Sequence, residues 1–131
     1  MLNKQFVQER MALFKEAGNV LPGAKVYYRE DWDVYYFDLA GKQFGLMSKE
    51  ANEKAVLTIK GVPDDNISLR RRYSDVVPGY YANKQHWNSI LLCSEQLSDI
   101  EITELLQNSY ELVFQKLTKK AQREINPQQL I

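Results

Sequence analysis

One cysteine, Cys93, stands in a chain of 131 residues. An intramolecular disulfide is excluded, and a reducing cytoplasm is the expected compartment. There is also a single histidine, His86, so no zinc-like Cys/His spacing is available. A nucleophilic trio could be drawn from Ser89, His86 and Asp75, but serines and aspartates are common enough to supply one in almost any chain. The six glycines are isolated, and neither a phosphate-cradling loop nor a dinucleotide fingerprint is present. Net charge is missing too: 17 basic and 17 acidic side chains cancel, whereas domains that track phosphates are usually basic. No apolar run approaches the length that spans a bilayer, and the first residues lack the pattern of a signal peptide. These absences predict a cytoplasmic protein with no membrane partner, no metal, no cofactor and no enzymatic activity.

What the chain does have is one globular domain's worth of sequence, 44% hydrophobic and 26% charged, close to ordinary globular composition. Asn3 is a helix N-cap candidate, and Phe6, Val7, Met11 and Phe14 recur at helical spacing until Gly18, read as the stop. A Leu21-Pro22-Gly23 turn leads into β-rich segments. Asp33 to Ala40 alternates Tyr35, Phe37 and Leu39 against Val34, Tyr36 and Asp38, and Gly41-Lys42 suits a tight hairpin turn. Strands follow at 43–48 and 55–59, implying an antiparallel meander that needs helices on its apolar face. Pro63, Asp64 and Asp65 open a short helix that carries Arg70, Arg71 and Arg72. Ser89 to Cys93 reads as the most apolar strand, placed centrally, with Cys93 a small core residue. Ser98 and Glu101 form a capping box, Leu97 and Ile102 its staple, and Ile102, Leu105, Leu106, Val113 and Leu117 make the stripe of the closing helix. Thr118 caps a basic turn through Arg123. A single domain over 1–125 with a loose tail over 126–131 is expected.

The most specific stretch is Pro78-Gly79-Tyr80-Tyr81-Ala82-Asn83-Lys84-Gln85-His86-Trp87-Asn88. Its aromatic faces and one cation suit contact with unpaired or groove-exposed bases, and its asparagines are of the type that reads adenine edges. A purely structural use is open as well: Pro78-Gly79 sets a turn, Tyr80 and Trp87 pack as lids, and Asn83 bonds locally to backbone.

At these residues the chain resembles the MmcQ/YjbR family. Leu21-Pro22-Gly23, Gly41-Lys42-Gln43-Phe44, Leu69-Arg70 with Tyr73, and Ser109-Tyr110-Glu111-Leu112-Val113 are similar to its other motifs, in order along nearly the whole chain. Tyr81 stands where the family usually has a histidine. The resemblance implies an α+β domain, an antiparallel β-sheet packed against N- and C-terminal helices and related to bacterial frataxin. It also implies DNA binding. On that reading Lys84 and the Arg70, Arg71 and Arg72 cluster meet phosphate, with Asn83, His86 and Lys42 as secondary contacts. Iron delivery is not carried over from the fold, since the first helix has only Glu9 and Glu16 against Lys4, Arg10 and Lys15. The alternative reading is a module that binds a protein or small ligand through the aromatic 78–88 loop, without catalysis. The partners in view are thus DNA or an unidentified protein.

Overall fold

Asn3 begins the first helix as its sequence predicts. In the computed structural model, which describes residues 3–79 and 83–126, its side chain accepts a hydrogen bond from the Phe6 amide and α1 runs over Lys4–Asn19. Val7, Met11 and Phe14 are buried along one face. The helix does not stop at Gly18, which is helical and buried. A Cβ there would lie 2.7 Å from the Phe37 ring and 2.8 Å from Val26, so the glycine is selected by close approach between helix and sheet rather than by a terminating conformation. Gly18→Ala should cost about 1–3 kcal/mol through overpacking, although alanine is the better helix former by about 1 kcal/mol. Urea denaturation decides the sign, and a gain in stability would mean that the fully buried Phe37 ring gives way.

Six strands follow: β1 (Ala24–Arg29), β2 (Val34–Leu39), β3 (Lys42–Ser48), β4 (Val56–Lys60), β5 (Val76–Pro78) and β6 (Trp87–Leu91). They form one antiparallel sheet in the order β1-β2-β3-β4-β6-β5. Leu39 pairs with Lys42, so the hairpin turn is Ala40-Gly41, both with positive φ (51° and 82°). The turn sits one residue earlier than Gly41-Lys42 because Lys42 already pairs. The last apolar strand is also displaced. β6 ends at Leu91, with Leu92 and Cys93 in the following turn, and it lies next to the edge strand β5 rather than at the centre. Cys93 is half-buried there, its thiol near the Glu53 carbonyl. β5 is short and carries Pro78 on an edge, where a missing N–H breaks no ladder.

Three longer helices and a short one share one face of this sheet: α1, α2 (Pro63–Arg72), α3 (Asp99–Gln115) and α4 (Lys119–Ile125). Cross-strand partners point to the same side, and Val26, Phe37, Met47, Leu57, Ile59, Ile90 and Val76 form the helix side with Leu106, Tyr110 and Phe114 of α3. The α3 capping box is complete: Ser98 accepts from the Glu101 amide and the Glu101 carboxylate accepts from the Ser98 amide. These bonds to Ser98 hold the Glu101 carboxyl below its usual range, with Tyr73 and Arg72 adding to the effect. Thr118 caps α4 through the Ala121 amide. The loose tail expected beyond 125 lies, from residue 127 on, outside the described residues.

Candidate nucleic-acid interface

Strand polarity decides which cations meet. β1, β3 and β6 run one way and β4 the other, so the starts of the first three and the end of β4 share one end of the sheet. Lys25 is the second residue of β1, Lys42 opens β3, Lys60 closes β4, and Lys84 stands three residues before β6. With strands about 4.8 Å apart, neighbours in this row are separated by roughly 5–15 Å. Lys60 is half-buried, and burial and the nearby Lys116 charge both lower its pKa. Lys116 is the C-cap of α3. Lys25, Lys42, Lys84 and Lys116 are exposed, and none of the five has an ion-pair partner among the described residues.

The backbone under this row is held by buried polar groups. A bulge in β3 makes Phe44 the extra residue between Gln43 and Gly45, and Phe44 packs edge-on against Phe37 and Tyr110. Where β3 and β4 part, Ser109 of α3 donates to the Phe44 carbonyl (2.6 Å) and accepts from the Lys60 amide (2.8 Å). One hydroxyl thus replaces a missing rung and fixes the end of β4. Beside it, a cavity of about 270 Å³ lies between α2, α3 and the sheet, with Lys60, Asp65, Asn66, Arg72 and Asn108 among its walls.

The 83–88 turn is likewise built from its own polar side chains. Asn83 accepts from the Gln85 amide (2.9 Å), and its carbonyl accepts from the His86 and Trp87 amides. The His86 carbonyl accepts from Gly61, extending the β4–β6 ladder by one step. Arg70 turns inward and donates through Nη1 to the Lys84 carbonyl (2.8 Å) and to Asn88 Oδ1 (3.0 Å). Asn88 is buried and donates to the Asn66 carbonyl, and Asn66 donates to the carbonyls of Gly61 and Gln85. Asn88 therefore has no edge free to read a base.

The sequence-predicted cations consequently separate. Lys84 and Lys42 lie at the same end of the sheet. Arg70 and Asn83 hold the turn that presents Lys84, and His86 is half-buried at its base. Arg71 and Arg72 end α2, about 13 Å along the helix from its start beside Lys60. Arg72 lies over the Tyr73 ring and lowers the Glu101 pKa, while Arg71 is exposed. Lys25 and Lys60 had no sequence signal of their own, because strand order, not local pattern, brings them into the row, whereas Lys116 belongs to the basic cluster Lys116, Lys119, Lys120 and Arg123 and is brought there by the end of α3. Tyr80, Tyr81 and Ala82 lie outside the described residues. Among the described residues no group of three or more His, Cys, Asp or Glu could hold a metal ion, and no helix is long and apolar enough to cross a membrane.

A single antiparallel sheet with helices on one face and a lysine-lined end defines an α+β domain of a compact single-sheet type. The chain belongs to the YjbR family, whose model matches residues 20–112. It is 30% identical over 97 residues to the uncharacterized protein YbdF of Escherichia coli O157:H7, covering 74% of this chain and 76% of that one. It is also 30% identical over 90 residues to the uncharacterized protein YjbR of Escherichia coli K12, covering 69% and 75%. A crystal structure of a Deinococcus radiodurans protein with a DUF419 domain superposes with a TM-score of 0.78 at 25% identity, over 88% of this chain and 86% of that one. A Pseudomonas syringae protein shares the fold at a TM-score of 0.59 and 23% identity, over 86% and 98% of the two chains.

Proposed function

We propose that the chain binds DNA, using the lysine row at the end of the sheet to meet phosphate. The observation that carries this reading is the placement of Lys25, Lys42, Lys60, Lys84 and Lys116, from five separate segments, at one end of the sheet in a chain whose net charge is zero. Five lysines set against one cross-strand carboxylate, Asp38 opposite Lys25, repel one another unless something anionic neutralises them, and a phosphate backbone does so at several points together. Lys84 is presented by the Arg70–Asn88 bonds. Lys42 stands on the β2–β3 hairpin. Arg71 and Arg72 are not assigned to this contact.

Titrating DNA affinity against salt tests the proposal. Each neutralised phosphate contributes about −0.9 to the slope of log affinity against log salt, so the full row of five should give roughly −4.5. Lys42→Ala and Lys84→Ala should each flatten that slope by about one unit, while Arg71→Ala leaves it unchanged. A flat slope, or no binding at low salt, overturns the reading.

A further inference from the structure

The sheet's second face carries none of the described helices, and its residues follow from the register. Lys25 faces Asp38, Tyr27 faces Tyr36, Arg29 faces Val34, and Lys60 faces Trp87. Tyr27 is 40% exposed, and Trp32, in the β1–β2 turn, is 49% exposed. Both rings are held in place. Tyr27 lies 5.7 Å from Tyr36, and Trp32 meets Tyr36 edge-on at 5.8 Å. The Arg29 guanidinium sits 4.0 Å over Trp32 and 5.1 Å from Tyr36. It is kept flat there by two bonds to the Asp31 carboxylate, at 2.9 and 3.1 Å.

From this we infer that the open face binds single-stranded nucleic acid, stacking unpaired bases on Tyr27 and Trp32 as its backbone runs from the lysine row along β1. The inference rests on the DNA-binding reading above and narrows it to a strand form. Its warrant is chemical complementarity. Lys25 and Lys60 stand on this face at one end of the sheet, with Asp38 the one carboxylate that the register places there and Asp31 engaged by Arg29 beside Trp32. Tyr27 is two residues along β1 from Lys25, roughly 7 Å, a span that a single nucleotide bridges. The aromatic faces are pre-ordered, so little side-chain entropy remains to be lost on stacking. In a duplex the base faces are already stacked on one another, so only an unpaired strand can use this surface.

The experiment uses the full chain and fluorescent oligothymidylate of about twelve nucleotides, within the range of known single-strand sites, beside its duplex with oligoadenylate, both at low salt. The single strand should bind about tenfold tighter than the duplex or more. Tyr27→Ala with Trp32→Ala should weaken single-strand binding by about tenfold or more, leave duplex binding within about twofold, and leave the salt slope intact, since no phosphate contact is removed. Trp32→Phe should keep most of the affinity. Circular dichroism checks that these exposed positions leave the fold unchanged. If the duplex binds with the lysine-dependent slope but the single strand is no tighter, or the aromatic variants bind as well as the parent, the inference fails and the DNA-binding reading stands. If neither form binds at low salt, both fall.

Discussion

Arg10→Ala should lower the stability of the folded chain by about 3–5 kcal/mol, read as a fall in the denaturation midpoint. Arg10 is 4% exposed, and its guanidinium makes four bonds to the segment joining β6 to α3. Nη1 donates to the carbonyls of Ser94 (2.7 Å) and Leu92 (3.2 Å), Nη2 to Leu97 (2.7 Å), and Nε to the Asp99 carboxylate (2.8 Å). Its plane also lies 4.5 Å over the Phe6 ring. Removing it strips partners from three backbone carbonyls at once, and an unmet buried acceptor costs about 1–3 kcal/mol. The bond to half-exposed Asp99 adds less, because water screens it. Arg10→Lys should recover only a small part, since an ammonium cannot span the fork of acceptors. Arg10→Met retains the stem against Phe6 and should remain close to the alanine value. If methionine restores stability, packing rather than hydrogen bonding is the main term. A loss under about 1 kcal/mol for alanine would mean that water replaces the guanidinium.

Arg10 also shows where the sequence was readable and where it was not. The apolar periodicity of α1 and α3, the capping box at Ser98 and the alternation of β2 translate directly into the observed elements, because each depends on neighbours within a few residues. Arg10 stands three residues after Val7 and four before Phe14, so it falls on the apolar stripe. A charge on such a stripe was the available signal that it is buried. Its partners are more than eighty residues away, and nothing local names them. Gly18 resembles a helix stop by type, yet the reason for it is the Phe37 ring across the sheet. β5 was missed because three residues ending in proline have no period to detect.

The candidate interface divides the same way. Lys84 and Lys42 were legible from their motifs. Arg70 and Asn83, from equally specific motifs, proved to be the supports of the turn. A cation in a tight local motif has carbonyls within reach, and Arg70 spends its charge on them. Lys25 and Lys60 could be added only once strand order was known. The family motif thus encodes the corner that presents Lys84, and the other cations of the row are spread across the rest of the sheet end.

That division has a measurable consequence at Asn66, which touches no proposed ligand. Asn66 is 3% exposed, and its amide nitrogen donates to Gly61 O at 3.2 Å and to Gln85 O at 3.1 Å. One side chain on α2 thereby ties the end of β4 to the turn that carries Lys84. Asn66→Ala leaves both carbonyls without that donor and opens space beside Gly61, whose Cα is packed against the Asn66 amide. The expected cost is about 2–4 kcal/mol, since each unmet buried acceptor costs about 1–3 kcal/mol. Asn66→Asp is the informative companion: similar in volume, it loses the donors and brings a carboxylate toward two carbonyl oxygens, so it should be at least as destabilising as alanine. If the turn positions Lys84, alanine at 66 should also reduce the magnitude of the DNA salt slope by about one unit, measured at a temperature where the variant is fully folded. Arg70 still reaches Asn88 in this variant, so the slope isolates the Gln85 tether. A variant that is destabilised by the expected amount but keeps the parent slope would separate the two roles: Asn66 would hold the fold together, and Lys84 would be placed by Arg70 alone.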